Sequence, residues 1–121
     1  MHADAMHARD DHFIYKVCAA TEWSRATAAG VYRGSAVDVR DGFIHLSTRA
    51  QLRETLRRHF AGQRDLVLIA FDPGDLGAEL RWEPSRDGDL FPHLHGELPT
   101  ALARAVEGIE VHADGSVDPE R

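Results

Sequence analysis

Asp41-Gly42-Phe43-Ile44-His45-Leu46-Ser47-Thr48 reads as a turn, a short strand and the start of a helix. Side chains alternate faces along a strand. Phe43, His45 and Ser47 therefore share one face, and Ile44 and Leu46 share the other. A polar His/Ser pair on an otherwise apolar strand needs partners, because unpaired polar groups are costly to bury. Protein, water and a ligand all qualify as partners, so this stretch is the first place to look for a site. Thr48 and Gln51 fit a capping box that opens a helix over residues 48–61. Leu52, Leu56 and Phe60 repeat at i, i+4, i+8 and face the core, and Gly62 ends the helix.

Upstream, residues 13–18 alternate as a first strand, with Phe13, Tyr15 and Val17 on one face and Ile14, Lys16 and Cys18 on the other. Residues 21–29 read as a short helix with Thr21 as N-cap and Gly30 in the C′ position. Trp23, Ala26 and Thr27 share its apolar face. Residues 31–40 are irregular: Gly34-Ser35 is a turn, and Asp38 and Asp41 bracket a polar loop.

Downstream, residues 65–71 form a nearly unbroken apolar run between turn signals, the pattern of a central strand buried on both faces. Asp72-Pro73-Gly74 is a turn. Residues 79–83 alternate, with Leu80 and Trp82 opposite Glu79, Arg81 and Glu83. Residues 97–112 are ambiguous: the alanines favour helix, while Gly108 interrupts and Ile109-Glu110-Val111 looks like strand.

The chain of 121 residues is expected to hold one domain over residues 12–112, with a flexible leader at 1–11 and a disordered polar tail at 113–121. His2, His7 and His12 are irregularly spaced and belong to that leader rather than to a metal site. The net charge of −6 argues against a general nucleic-acid binder. The single cysteine, Cys18, cannot form an internal disulfide and reads as a buried core residue. A reducing cytoplasm is the expected location. No apolar run is long enough to span a bilayer.

Three groups carry candidate chemistry. His45 with Ser47 suits recognition of a hydroxyl or phosphate, with the imidazole as donor or general base, or else forms a structural hydrogen bond to backbone. Arg81 and Glu83 share a strand face, either as a solvent-exposed ion-pair ladder or as part of a site at the strand end. His93 and His95, if extended, point to one side and offer two ligands for a zinc-like ion, or serve as hydrogen-bonded loop histidines. Lys16 beside Tyr15 is a substrate anchor or an edge-strand charge. Arg49, Arg53, Arg57 and Arg58 line the polar side of helix 48–61 and read as a solvated face.

Taken in order, Ile14-Tyr15-Lys16, Trp23, residues 41–47, Gln51, His59-Phe60, Leu66-Val67-Leu68, residues 80–83 and Phe91-Pro92-His93-Leu94-His95-Gly96-Glu97-Leu98-Pro99 closely resemble DUF952, a bacterial family of unknown function. The resemblance covers roughly residues 12–111. It implies an α+β, ADP-ribosylation-like fold, with a mixed split sheet and two to three helices around a cleft. Enzymes of that fold bind NAD, with a histidine and a nearby hydroxyl on an early strand and a late glutamate that orients the ribose. Here His45-Leu46-Ser47 resembles the first element, with Leu46 where those enzymes usually carry glycine, and Glu83 is the candidate acid. The resemblance thus implies Glu83 and His93 as catalytic groups. Tyr15, Lys16, His45, Ser47, Arg81 and His95 would contact the ligand. It implies no required cofactor or metal, with NAD or an ADP-ribose-like nucleotide as the small-molecule partner. Two alternatives are a non-catalytic metabolite-binding module and a metal-dependent hydrolase using His93 and His95.

Overall fold

The computed structural model describes residues 12–119, so the expected leader at 1–11 lies outside the described residues. The apolar run after Asp65 becomes β5 (Leu66–Phe71), the middle of a five-stranded sheet in the order β10-β9-β5-β1-β4. Its neighbours are β1 (Ile14–Ala19) and β9 (Ala105–Val111), and β10 (Val117–Asp118) extends the β9 edge. Both faces of β5 are covered, as its composition predicts. Ile69 and Phe71 enter one apolar cluster with Ile14, Cys18, Trp23, Ile44, Leu46 and Leu94. Leu66, Leu68 and Ala70 enter a second with Tyr15, Val17, Leu52 and Leu56. Burial of each Leu, Ile, Val or Phe side chain among them contributes about 1.5–3 kcal/mol.

α1 (Ala20–Ala29) packs Trp23 and Ala26 into the first cluster and stops at Gly30, whose φ of 83° is the left-handed conformation that favours glycine. Thr27, expected on the same face, is exposed, and the N-cap is Ala19 rather than Thr21. The Glu22 carboxylate accepts the Ala19 N–H at 3.3 Å and takes over the cap's task. β2 (Val31–Tyr32) pairs with β8 (Leu98–Pro99).

The expected polar loop after Gly34 is instead a helix, α2 (Ala36–Asp41), capped by the Ser35 hydroxyl. It is one and a half turns long and its Val37 and Val39 face solvent, so no apolar stripe announces it. The strand expected over residues 43–47 divides at Leu46 into β3 (Ile44–His45) and β4 (Ser47–Thr48). β3 joins a three-stranded sheet, β3-β7-β6, with β7 (Leu90–Leu94) and β6 (Leu80–Pro84), while β4 pairs with β1. Every pairing between these strands is antiparallel, which replaces the expected mixed sheet by a split antiparallel one.

α3 (Arg49–His59) follows with the expected capping box. The Thr48 hydroxyl accepts the Gln51 N–H at 3.2 Å, and the Gln51 side chain accepts the Thr48 N–H at 3.0 Å. Thr48→Ala is expected to lower stability by about 1 kcal/mol while Thr48→Ser keeps it, read from urea unfolding midpoints at constant slope. Arg57 and Arg58 pair with Glu54, and Arg53 with Asp114, so this arginine row is a solvated ion-pair face. The ambiguous residues 97–112 are mostly strand, because β9 pairs along five residues with β5 and tertiary pairing overrides alanine propensity. The expected disordered tail also gives way: Val117 and Asp118 pair with Val111 and Glu110. The turn between them lies against α3 at Gly115, where a Cβ would come within 2.6 Å of the Arg53 carbonyl oxygen. Among the described residues, no helix is long and apolar enough to cross a membrane.

Candidate active site

Lys16 lies on the same face of β1 as Ile14 and Cys18, and is buried rather than an exposed edge charge. A buried ammonium needs a counter-ion. α2 supplies Asp38, itself 2% exposed, whose Oδ2 accepts from Lys16 Nζ at 2.7 Å and from the Ser35 N–H at 2.9 Å. Its Oδ1 accepts the His45 N–H at 3.0 Å and faces His45 Nδ1 at 2.6 Å. Lys16 also donates to the His45 carbonyl oxygen at 3.1 Å. One carboxylate thus ties together β1, α2 and β3. Burial alone would raise the Asp38 pKa, but the His45 hydrogen bond and the Lys16 ammonium outweigh it and hold the carboxyl well below the usual range. The far side of the His45 ring, Nε2, meets Asp41 Oδ2 at 3.0 Å.

β3 and β7 pair so that His45 sits opposite His93, with ring centroids 5.6 Å apart. Behind His93 stands Glu83. One oxygen, Oε1, lies 2.8 Å from His93 Nδ1 and 2.8 Å from His95 Nε2. The alternation of β6 and β7 brings these groups to one face. Phe43 stacks on His93 at 4.1 Å and touches the rings of His45 and His95 at 4.6 and 5.1 Å, so the three imidazoles are packed around one benzyl group. Burial pulls the His93 pKa below its ordinary value, partly opposed by the Glu83 hydrogen bond. The bonds from His95 and His93 hold the Glu83 carboxyl low in turn.

A cleft of about 650 Å³ opens where the chain crosses between the sheets at Leu46. Of the residues singled out from the sequence, Tyr15, Lys16, His45, Ser47 and His93 line it. The Tyr15 hydroxyl accepts from Arg49 at 3.2 Å, and the Ser47 hydroxyl meets that of Thr55 at 3.0 Å. Glu83 and His95 stand behind the wall, and Arg81 is exposed on β6; none of the three borders the cleft. Asp38, Asp41, Thr55, His59 and Arg86 line it without having been singled out for a site. The one sequence signal for Asp38 was its place three residues after Ser35, the spacing of a capping box. Among the described residues, no group of three or more His, Cys, Asp and Glu could hold a metal ion. His93 and His95 instead converge, through hydrogen bonds, on one oxygen of Glu83.

Residues 17–106 match the family described as Protein of unknown function (DUF952). The chain belongs to the DUF952 family. The crystal structure of Protein CC0527 from Caulobacter crescentus is 44% identical in sequence and superposes with a TM-score of 0.82. The alignment covers 87% of this chain and 92% of that one. The solution NMR structure of CC0527 gives a TM-score of 0.76 at 44% identity, over 86% and 90% of the two chains. No curated protein matches the sequence. The match takes in every histidine and carboxylate of the site, from Asp38 to His95, while Lys16 lies one residue before it.

Proposed function

We propose that this DUF952 protein binds an NAD- or ADP-ribose-like nucleotide in the cleft and carries out ADP-ribosyltransferase-like chemistry there, with His93 as the acid–base group. The split sheet opening on a cleft is consistent with an ADP-ribosylation-like fold. The observation that carries the reading is the environment of His93. It lines the cleft, its Nδ1 is engaged by Glu83, and its Nε2 carries no hydrogen bond among the described residues. An imidazole oriented through one nitrogen by a carboxylate presents the other to a substrate. Burial favours the unprotonated form of the His93 imidazole. In this reading its Nε2 takes the proton of an attacking hydroxyl as the bond between nicotinamide and ribose breaks. Glu83 orients the ring from behind rather than touching the ribose. Asp41 and His45 line the same cleft, and the Asp41 carboxylate has lone pairs to accept from ribose hydroxyls.

A thermal-shift titration with NAD, ADP-ribose, nicotinamide and zinc tests this, run on the wild type and on His45→Ala. NAD and ADP-ribose are expected to raise the Tm, since a ligand at a hundred times its Kd stabilises by about 2.7 kcal/mol. The rise should vanish in His45→Ala. No shift with either nucleotide at millimolar concentration sinks the reading. Stabilisation without release of nicotinamide would leave a binding module in its place.

A further inference from the structure

We infer that Arg86, Thr55, Ser47 and His59 form a subsite for a phosphate group at one end of the cleft. The inference deepens the nucleotide reading and rests on its cleft.

Among the described residues two arginines line that cleft, Arg40 and Arg86. Arg40 is neutralised by Asp41, with Nε 2.9 Å from Oδ1. Arg86 has no carboxylate within ion-pair distance among the described residues. The neighbouring Asp87 is 80% exposed and turns to Arg58, 3.9 Å away. What holds Arg86 is a ring: its guanidinium carbon lies 4.8 Å from the centroid of Phe91. Stacking on an aromatic face fixes the plane of a guanidinium while leaving its N–H fork unused. Among the described residues the fork makes only long contacts, 3.4 and 3.5 Å, to the Thr55 hydroxyl.

The other groups are donors suited to an anion. Thr55 and Ser47 present two hydroxyls 3.0 Å apart, and Ser47 is 96% buried by its 4% exposure. His59 lines the same end, and its pKa is lowered by burial and then by Arg86, Arg58 and His45, all of one sign. A phosphate carries several acceptor oxygens and matches a fork plus hydroxyls better than a single-charge carboxylate does. Phe91 and His93 are two residues apart on β7 and both line the cleft. Phe91, on which Arg86 stacks, is thus about 7 Å along the strand from His93. The ligand class is a phosphorylated molecule whose reacting group is held one or two covalent units from its phosphate.

The test is a ¹H–¹⁵N NMR titration with inorganic phosphate and, separately, with acetate at matched ionic strength. It uses the wild type and Arg86→Gln, whose unchanged Tm confirms folding, with Arg86→Lys as the conservative variant. Phosphate is expected to move the amides of Ser47, Thr55 and His59 saturably, and Arg86→Gln to weaken it about tenfold or more. Arg86→Lys should restore part of that loss. Equal phosphate affinity in Arg86→Gln, or acetate binding as well as phosphate, overturns the subsite. Tight ADP-ribose binding unaffected by Arg86→Gln also overturns it while leaving the nucleotide reading standing. Phosphate binding that depends on Arg86, with no response to NAD or ADP-ribose, upholds the subsite and overturns that reading instead.

Discussion

Asp38→Ala is expected to lower the unfolding free energy by about 3–5 kcal/mol, because it leaves the Lys16 ammonium buried and unpaired. For a domain of this size that is a fall in Tm of more than about 10 °C. The loss exceeds that of a surface pair because both partners are almost wholly buried. Asp38 also accepts the Ser35 and His45 N–H groups, so its removal loosens the start of α2 and the β3 backbone together. The double variant Asp38→Ala with Lys16→Met should recover part of the loss, since no charge is then stranded. The pH dependence has a definite sign. Asp38 titrates lower in the folded chain than in the unfolded one. Its contribution is therefore fully present above the unfolded carboxylate pKa of about 4 and declines as the pH falls below it. Denaturant unfolding of wild type and Asp38→Ala from pH 7 to pH 2 should show the gap narrowing with acid. A gap independent of pH would remove the ion pair from the account.

The second large effect concerns chemistry. His93→Gln is expected to cut nicotinamide release from NAD by about 10²–10⁴-fold, the usual contribution of a positioned acid–base group. Nucleotide-induced stabilisation should survive, because glutamine stays polar and close to histidine in length. The rate of the wild type should rise with pH through a midpoint below the ordinary histidine value of about 6.5, since burial depresses the His93 pKa. Glu83→Gln tests the role assigned to Glu83. Its carboxylate raises the His93 pKa, so its loss should move the midpoint lower still as the rate falls. A rate that is halved with the midpoint unmoved would make Glu83 a packing residue only, and full activity in His93→Gln would place the chemistry elsewhere.

Parts of this arrangement were legible in the residues themselves. The box of Thr48 and Gln51, the stop at Gly30 and the two-faced apolar run of β5 depend on neighbours within a few positions, and each forms as its chemistry requires. Local pattern also pointed to His45 as a polar group in need of partners. It did not reveal α2, because a six-residue helix with exposed valines buries only Asp38 and leaves no periodic stripe. Nor did it show the break at Leu46, since Ser47 and His45 alternate as in one strand although they belong to two sheets.

The sequence by itself determined which segments are strand or helix wherever apolar periodicity and caps agree, and it marked the histidines. Only the tertiary structure decided what they touch. The Lys16–Asp38–His45 tie spans three elements, and the Glu83 carboxylate meets His93 and His95 through the pairing of β6 with β7. Both depend on register between segments far apart in the chain. A buried charge there is stable only once all its partners have arrived, so its meaning is a property of the assembled fold.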